Sequence, residues 1–178
     1  VTLDFEFIEG DPILPVIDVH TLYKGRKSYS NSSNFESTYF NAKDVSVSSE
    51  INSAKIYSTI TGHGFDNNTN CAEFCVRTYT VNVNGTASGS ATIWNDECGS
   101  NPIYPQGGTW LYDRAGWCPG GKGDIHTFDV TSDITAGSLN SIDFDMQNYT
   151  WSGAQAPSYT VYARLVTYGA PNYSNDVA

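Results

Sequence analysis

Residues 75–84 read CVRTYTVNVN, alternating apolar and polar side chains, and Asn84-Gly85 ends the run. Period-two alternation lets a strand bury one face, and Asn-Gly is the strongest short hairpin signal. A chain made of such units must fold by pairing strands, and the rest of this one repeats the pattern. Residues 54–61 read AKIYSTIT, residues 87–94 return after the turn, and residues 125–130 and 142–149 read as two further strands. Residues 159–168 alternate Val161, Ala163, Leu165 and Thr167 against Tyr162, Arg164 and Val166. Residues 1–8 alternate Leu3, Phe5 and Phe7 with Asp4 and Glu6, which suits a half-buried strand or one that pairs with something else. Residues 13–23, with Pro15 near their start, suit an edge strand. Residues 35–40 and 45–47 read as short strands, Lys24-Gly25-Arg26 as a turn, and residues 28–34 as a polar loop. The connection over residues 131–139 has room for one helical turn.

Composition supports an all-β chain. Tyr, Val, Ile, Thr and Phe are frequent, sixteen Gly stand against one Met, and long Ala/Leu/Glu/Lys segments are absent. The expected architecture is an antiparallel β-sandwich of eight to ten short strands, with an eight-stranded jelly roll as the leading topology. At 178 residues the chain reads as a single domain over 1–178. A chain of that size buries about 70% of its unfolded surface, enough for a core without staples.

The net charge of −10 argues against nucleic acid and against an anionic membrane surface, since nine scattered Lys and Arg form no basic stripe. No run approaches the roughly 20 apolar residues of a membrane span. The sequence begins at Val1 without a signal peptide and reads as a mature or excised piece. Four cysteines and five Asn-X-Ser/Thr sequons, at Asn31, Asn67, Asn84, Asn148 and Asn172, point to a secreted, periplasmic or cell-surface location.

Residues 62–120 stand apart. They hold Cys71, Cys75, Cys98 and Cys118 and three of the four Trp. Residues 95–122 form a long irregular segment. Loops of more than about 15 residues without structure are functional or disordered, and two Trp, two Tyr and two Cys are not a disordered composition. Four cysteines allow three pairings. Zinc would favour Cys-X-X-Cys pairs, which are missing. A Cys71–Cys75 bridge would fasten a tight loop, and a Cys98–Cys118 bridge would close the base of the long one. Glu73 lies between two cysteines; read alone it is a solvated loop carboxylate. Arg114, in YDRAGWC, read alone stacks on Trp117 or pairs with Asp113. His63, in GHGF, reads as a turn residue. Asp66 and Asp96 are further carboxylates nearby. Aromatic faces with a carboxylate and an arginine are also what a sugar site requires.

The motifs CAEFC and NPIYPQGGTWLYDRAGWCPG resemble the second domain of the bacterial peptide-N-glycosidase F family. That resemblance implies one of two side-by-side jelly rolls and cleavage of the amide between Asn and the innermost GlcNAc of an N-linked glycan, giving Asp and a glycosylamine. It implies Glu73 and Arg114 as catalytic residues, and Trp117 as an aromatic wall of the cleft, with His63 and Asp113 as further substrate-binding candidates. It implies the disulfides Cys71–Cys75 and Cys98–Cys118. No metal or cofactor is implied. The partners are an N-linked glycan or glycopeptide, and a second jelly-roll domain or an identical subunit. In the family the Asp that activates the attacking water comes from the first jelly roll. No counterpart of it stands here, so the chain is expected to carry half an active site.

The competing expectation is a non-catalytic relative that binds glycans or assembles into a surface structure, with residues 1–8 as an exchanged strand. A copper monooxygenase built on similar jelly rolls needs His-X-His and a Met ligand. His20, His63, His126 and Met146 are isolated from one another and disfavour it.

Overall fold

A computed structural model describes residues 4–6, 12–29, 34–100, 107–153 and 155–171. Its elements are β1 (Val16–Ser28), α1 (Phe35–Tyr39), β2 (Lys43–Ser46), β3 (Ser53–His63), β4 (Arg77–Val83), β5 (Thr86–Ile93), β6 (His126–Asp129), β7 (Leu139–Met146) and β8 (Ser158–Tyr168). A single 3₁₀ turn spans Cys98–Ser100. The strands form two four-stranded antiparallel sheets, ordered β1-β8-β3-β6 and β2-β7-β4-β5. Only β4 and β5 are joined by a hairpin; the other neighbours are distant in sequence. This exchange of the chain between two sheets is the jelly roll.

The core follows from alternation. β3 turns Ala54, Ile56 and Ile60 inward, and β8 turns Val161, Ala163 and Leu165 inward, all at 1% exposure or less. Val81, Val83, Ile142 and Phe144 of the facing sheet are equally buried and complete the layer between them. Tyr29 closes one edge: its hydroxyl donates to the Tyr149 carbonyl at 2.7 Å and accepts from the Tyr149 N–H at 3.0 Å.

Three local readings are corrected. Residues 35–39 of the expected 35–40 strand form α1 instead, with Phe40 as its C-cap. A strand would send Phe35 and Phe40 to opposite faces, yet both are buried and 5.7 Å apart. Phe35 also meets Tyr39 at 5.3 Å, the i,i+4 contact of a helical turn. Lys24-Gly25-Arg26 does not reverse the chain: β1 runs through it, with Gly25 opposite Val161. The glycine signalled a left-handed φ of 91° inside an edge strand, not a hairpin. Residues 131–139 contain turns but no helix. The expected strand at residues 1–8 lies outside the described residues except for 4–6, which are not in a strand. The Asn84-Gly85 turn matches its reading, with φ of 52° and 77°.

Candidate functional site

The end of β3 positions the site. Beyond its inner half, the 114–124 segment takes a neighbouring place: Gly62 N–H donates to the Ala115 carbonyl and Asp124 N–H to the Gly116 carbonyl, both at 2.9 Å. This close passage needs glycine on both sides. A Cβ on Gly62 would collide with the Ala72 carbonyl oxygen, and one on Gly116 with the Ile60 carbonyl oxygen. On the far side, Asn95 and Arg114 exchange backbone hydrogen bonds at 2.8 and 3.2 Å.

Two disulfides hold these loops. Cys71 and Cys75 are joined with Cα atoms 4.9 Å apart, and Cys98 and Cys118 with Cα atoms 5.1 Å apart. Within the first loop Glu73 donates its N–H to the Gly64 carbonyl at 3.0 Å, and its carbonyl accepts from Ala115 N–H at 2.8 Å. Its side chain is therefore aimed by both loops.

Glu73 and Arg114 form an ion pair at 2.9 Å, with side chains 15% and 3% exposed. The second Glu73 oxygen accepts from Gly64 N–H at 2.8 Å. Each guanidinium nitrogen is engaged: Nη1 on Glu73, Nε on the Tyr112 carbonyl at 3.1 Å, and Nη2 on the Thr109 carbonyl. Its plane lies between the rings of Trp117 and Phe74, at 4.9 and 5.1 Å. Arg114 thus stacks on Trp117, one of its two sequence readings, but its carboxylate partner is Glu73 and not Asp113. The arrangement holds a carboxylate in one rotamer with little water around it.

Trp117 is half-buried and donates its indole N–H to the Gly62 carbonyl at 2.8 Å. His63 packs on the same indole at 5.0 Å and shares a hydrogen bond with the Thr61 hydroxyl at 2.8 Å. Burial lowers the His63 pKa, the Arg26 and Arg114 cations lower it further, and Glu73 opposes them. His63, Trp117, Arg114 and Glu73 therefore form one continuous row.

On the other side of Phe74 lies a groove of about 400 Å³ lined by Phe65, Asn70, Phe74, Trp94, Thr109, Tyr112 and Asp113. Phe74 meets Phe65 and Tyr112 edge-on at 5.7 and 6.4 Å. Phe65 and Tyr112 are 42% and 61% exposed, so their faces are open. Of the sequence candidates only Asp113 borders this groove. Phe65, Phe74, Trp94 and Tyr112 were missed individually; the aromatic richness of residues 62–120 was their signal.

Asp66 has a different task. It has no exposed surface. Its carboxylate accepts from Asn68 and Thr69 N–H, the Thr69 hydroxyl, and both the N–H and hydroxyl of Ser152. These donors, led by the Ser152 hydroxyl, hold its pKa at about 2. It staples the 66–71 loop to the 151–153 segment. Asp96 is exposed on the opposite loop.

Among the sequons in the described residues, Asn67, Asn84 and Asn148 are exposed. The Asn84 amide donates to the Asp133 carbonyl at 3.0 Å and to Asn140 Oδ1 at 2.9 Å, which commits its nitrogen to the turn. Asn31 and Asn172 lie outside the described residues. Among the described residues no three His, Cys, Asp or Glu converge as a metal site, and no helix is long and apolar enough to cross a membrane. His126 pairs with the Tyr79 hydroxyl at 2.9 Å, while Met146 is buried in the core.

The family model for peptide-N-glycosidase F, C terminal, matches residues 30–166. The chain belongs to this family. Peptide-N(4)-(N-acetyl-beta-D-glucosaminyl)asparagine amidase F of Elizabethkingia miricola is 28% identical over 177 residues, covering 93% of this chain and 49% of that protein. The solved structure of PNGase F, a glycosylasparaginase from Flavobacterium meningosepticum, aligns with a TM-score of 0.74 at 24% identity, over 87% of this chain and 54% of that one. PNGF-II aligns with a TM-score of 0.63 at 18% identity, over 94% of this chain and 32% of that one. These structural likenesses establish the shared jelly roll. The chain spans about half the length of the curated relative it matches.

Proposed function

We propose that this chain supplies one wall of an N-glycan amidase site, and that a second unit, a preceding jelly roll or another subunit, supplies the other. The observation that carries this reading is the Glu73–Arg114 pair, clamped by two disulfide-tied loops beside an aromatic groove, in a member of the peptide-N-glycosidase F C-terminal family. Hydrolysis of the Asn–GlcNAc amide needs a water activated by a base and a group that holds the leaving sugar. Glu73 is the holding group: Arg114 and Gly64 N–H keep its carboxylate fixed as an acceptor of sugar hydroxyls. The groove stacks a pyranose on Phe74 and Tyr112, with Asp113 and Asn70 hydrogen-bonding its rim. The base comes from the partner unit. The products are an aspartate and a glycosylamine. Two disulfides suit an oxidising, secreted or surface setting.

The test is glycan release from a denatured high-mannose glycoprotein by the full-length protein and by its Glu73→Gln variant. Release should fall by about 100-fold or more with folding intact. Unimpaired release by the variant would remove Glu73 from the mechanism.

A second reading, glycan binding without turnover, draws on one observation: both Glu73 oxygens are already bonded. A chitobiose glycopeptide that saturates the full-length protein and is never cleaved selects it.

A further inference from the structure

The outer face of the β1-β8-β3-β6 sheet meets the site above only at one end, where Arg26 and His63 lie. Strand register sends Lys24 of β1, Tyr162 and Arg164 of β8, and Lys55 and Tyr57 of β3 to this side: Lys24 lies opposite Tyr162, and Tyr57 opposite Arg164. Tyr162 is 48% exposed. With Arg164 it forms a ridge between two depressions of about 380 and 280 Å³. Val19 and Lys24 border the first, and Tyr57 and Ile125 the second.

The charge of this face is unlike that of the molecule. The chain carries −10 overall, yet four of its nine Lys and Arg, Lys24, Arg26, Lys55 and Arg164, lie here. Asp129, opposite Lys55, is the acid among them. The ion pairs among the described residues, His20–Asp18 and Arg114–Glu73, engage none of the four. Arg26 is committed to the Ser158 hydroxyl at 2.8 Å and Lys55 faces Asp129, which leaves Lys24 and Arg164 beside the exposed Tyr162 ring as a basic, aromatic ligand surface.

We propose that this face is a separate site for carboxylate-bearing oligosaccharides. Arg164 offers the planar fork that pairs with a carboxylate in two hydrogen bonds. Tyr162 and Tyr57 offer ring faces against which the C–H face of a pyranose packs. The two depressions take successive sugars, with the acidic group at the ridge. A protein occupant fits less well. Strands of 13, 11, 11 and 4 residues at ~3.3 Å per residue, lying about 4.8 Å apart, give roughly 600 Å², below the ~800 Å² per partner of a stable protein interface. A second copy, itself at −10, is repelled. The site is also distinct from the amidase wall: Tyr57 lies six residues before His63 on β3, about 20 Å away at ~3.3 Å per residue.

Titration calorimetry of the chain with tetragalacturonate, chitotetraose and tetraglutamate tests this. Tetragalacturonate should bind saturably and weaken with added salt. Arg164→Ala should weaken it about tenfold and Tyr162→Ala about fivefold, with melting temperatures unchanged because both side chains are on the surface. Glu73→Gln should leave this binding unchanged, so the result stands apart from the amidase reading. Equal affinity for chitotetraose, or for tetraglutamate, would overturn the site as one for acidic sugars. So would unchanged affinity in Arg164→Ala. Concentration-dependent self-association abolished by Arg164→Ala would replace the glycan with a second copy.

Discussion

The centre of the sandwich and the Arg114 position at the loop end are both buried, but they are held by different means. Ile56, Val81, Phe144 and Leu165 at the centre are apolar and fully buried, and each touches many others that share the work. At the loop end Ala72 and Ala115 are as buried, but they surround an arginine, a carboxylate and backbone held by two disulfides. Apolar contacts are interchangeable; a guanidinium placed on one carboxylate and two carbonyls is not. The difference teaches that precision here comes from a few polar contacts with no substitute. A fixed carboxylate on loops requires that, because loops lack a ladder of backbone bonds to hold them.

Substitutions should expose this contrast. Arg114→Ala leaves Glu73 without its cation and opens the space between Phe74 and Trp117. Breaking one side of such a pair costs about 3–5 kcal/mol. Urea denaturation checks it, and a cost no larger than that of a surface change would erase the contrast. Replacing Cys98 and Cys118 together by Ser frees a loop of sequence separation 20 and should cost about 3 kcal/mol, read as a lower urea midpoint that reducing agent reproduces in the wild type. Ile56→Val, at the centre, should cost only about 1 kcal/mol. If it exceeds either loop change, the centre is the less tolerant region.

The pH dependence separates the regions further. His63 and His126 are held below the ordinary imidazole value of 6.5, in both cases chiefly by burial. Their neutral rings are favoured in the fold, so this stability is whole above that value and is lost as pH falls through their folded pKa values. Asp66, at about 2 against an ordinary 3.8, adds stability that is whole above 3.8 and lost as pH falls to about 2. Melting temperature against pH should fall in two steps, and Asp66→Asn should shrink only the more acidic one, to which Asp129, held low by Thr131, also contributes. A variant that keeps the acidic step at full size would place the Asp66 carboxylate's partners elsewhere.

The strands were readable because each carries its own period. Ile56, Ile60, Val161 and Leu165 announce their face in sequence and keep it in the fold. What could not be read locally depended on contacts made at a distance. Phe35 in the helix and Phe40 at its C-cap are both drawn into the core, a placement no local alternation signals. Gly25 has the same sequence signal in a bent edge strand as in a turn. In the candidate site, the residues were legible as a group and their pairing was not. Arg114 had Asp113 as its sequence neighbour, but the return of the 62–76 loop brings Glu73 to it across 41 positions. Asp66 read as one carboxylate among several, because its donor Ser152 is 86 residues away. The open rings of Phe65 and Tyr112 follow from the same loop closure.

The central claim is that the loop end is one wall of an N-glycan site. It is tested most directly by titrating the ¹⁵N-labelled chain with a chitobiosyl-asparagine peptide and following its amide and indole resonances. The account predicts saturable shifts at Phe65, Asn70, Phe74, Tyr112, Asp113 and the Trp94 indole, with the Arg164 face silent. Shifts confined to that face, or none at saturating ligand, would contradict it.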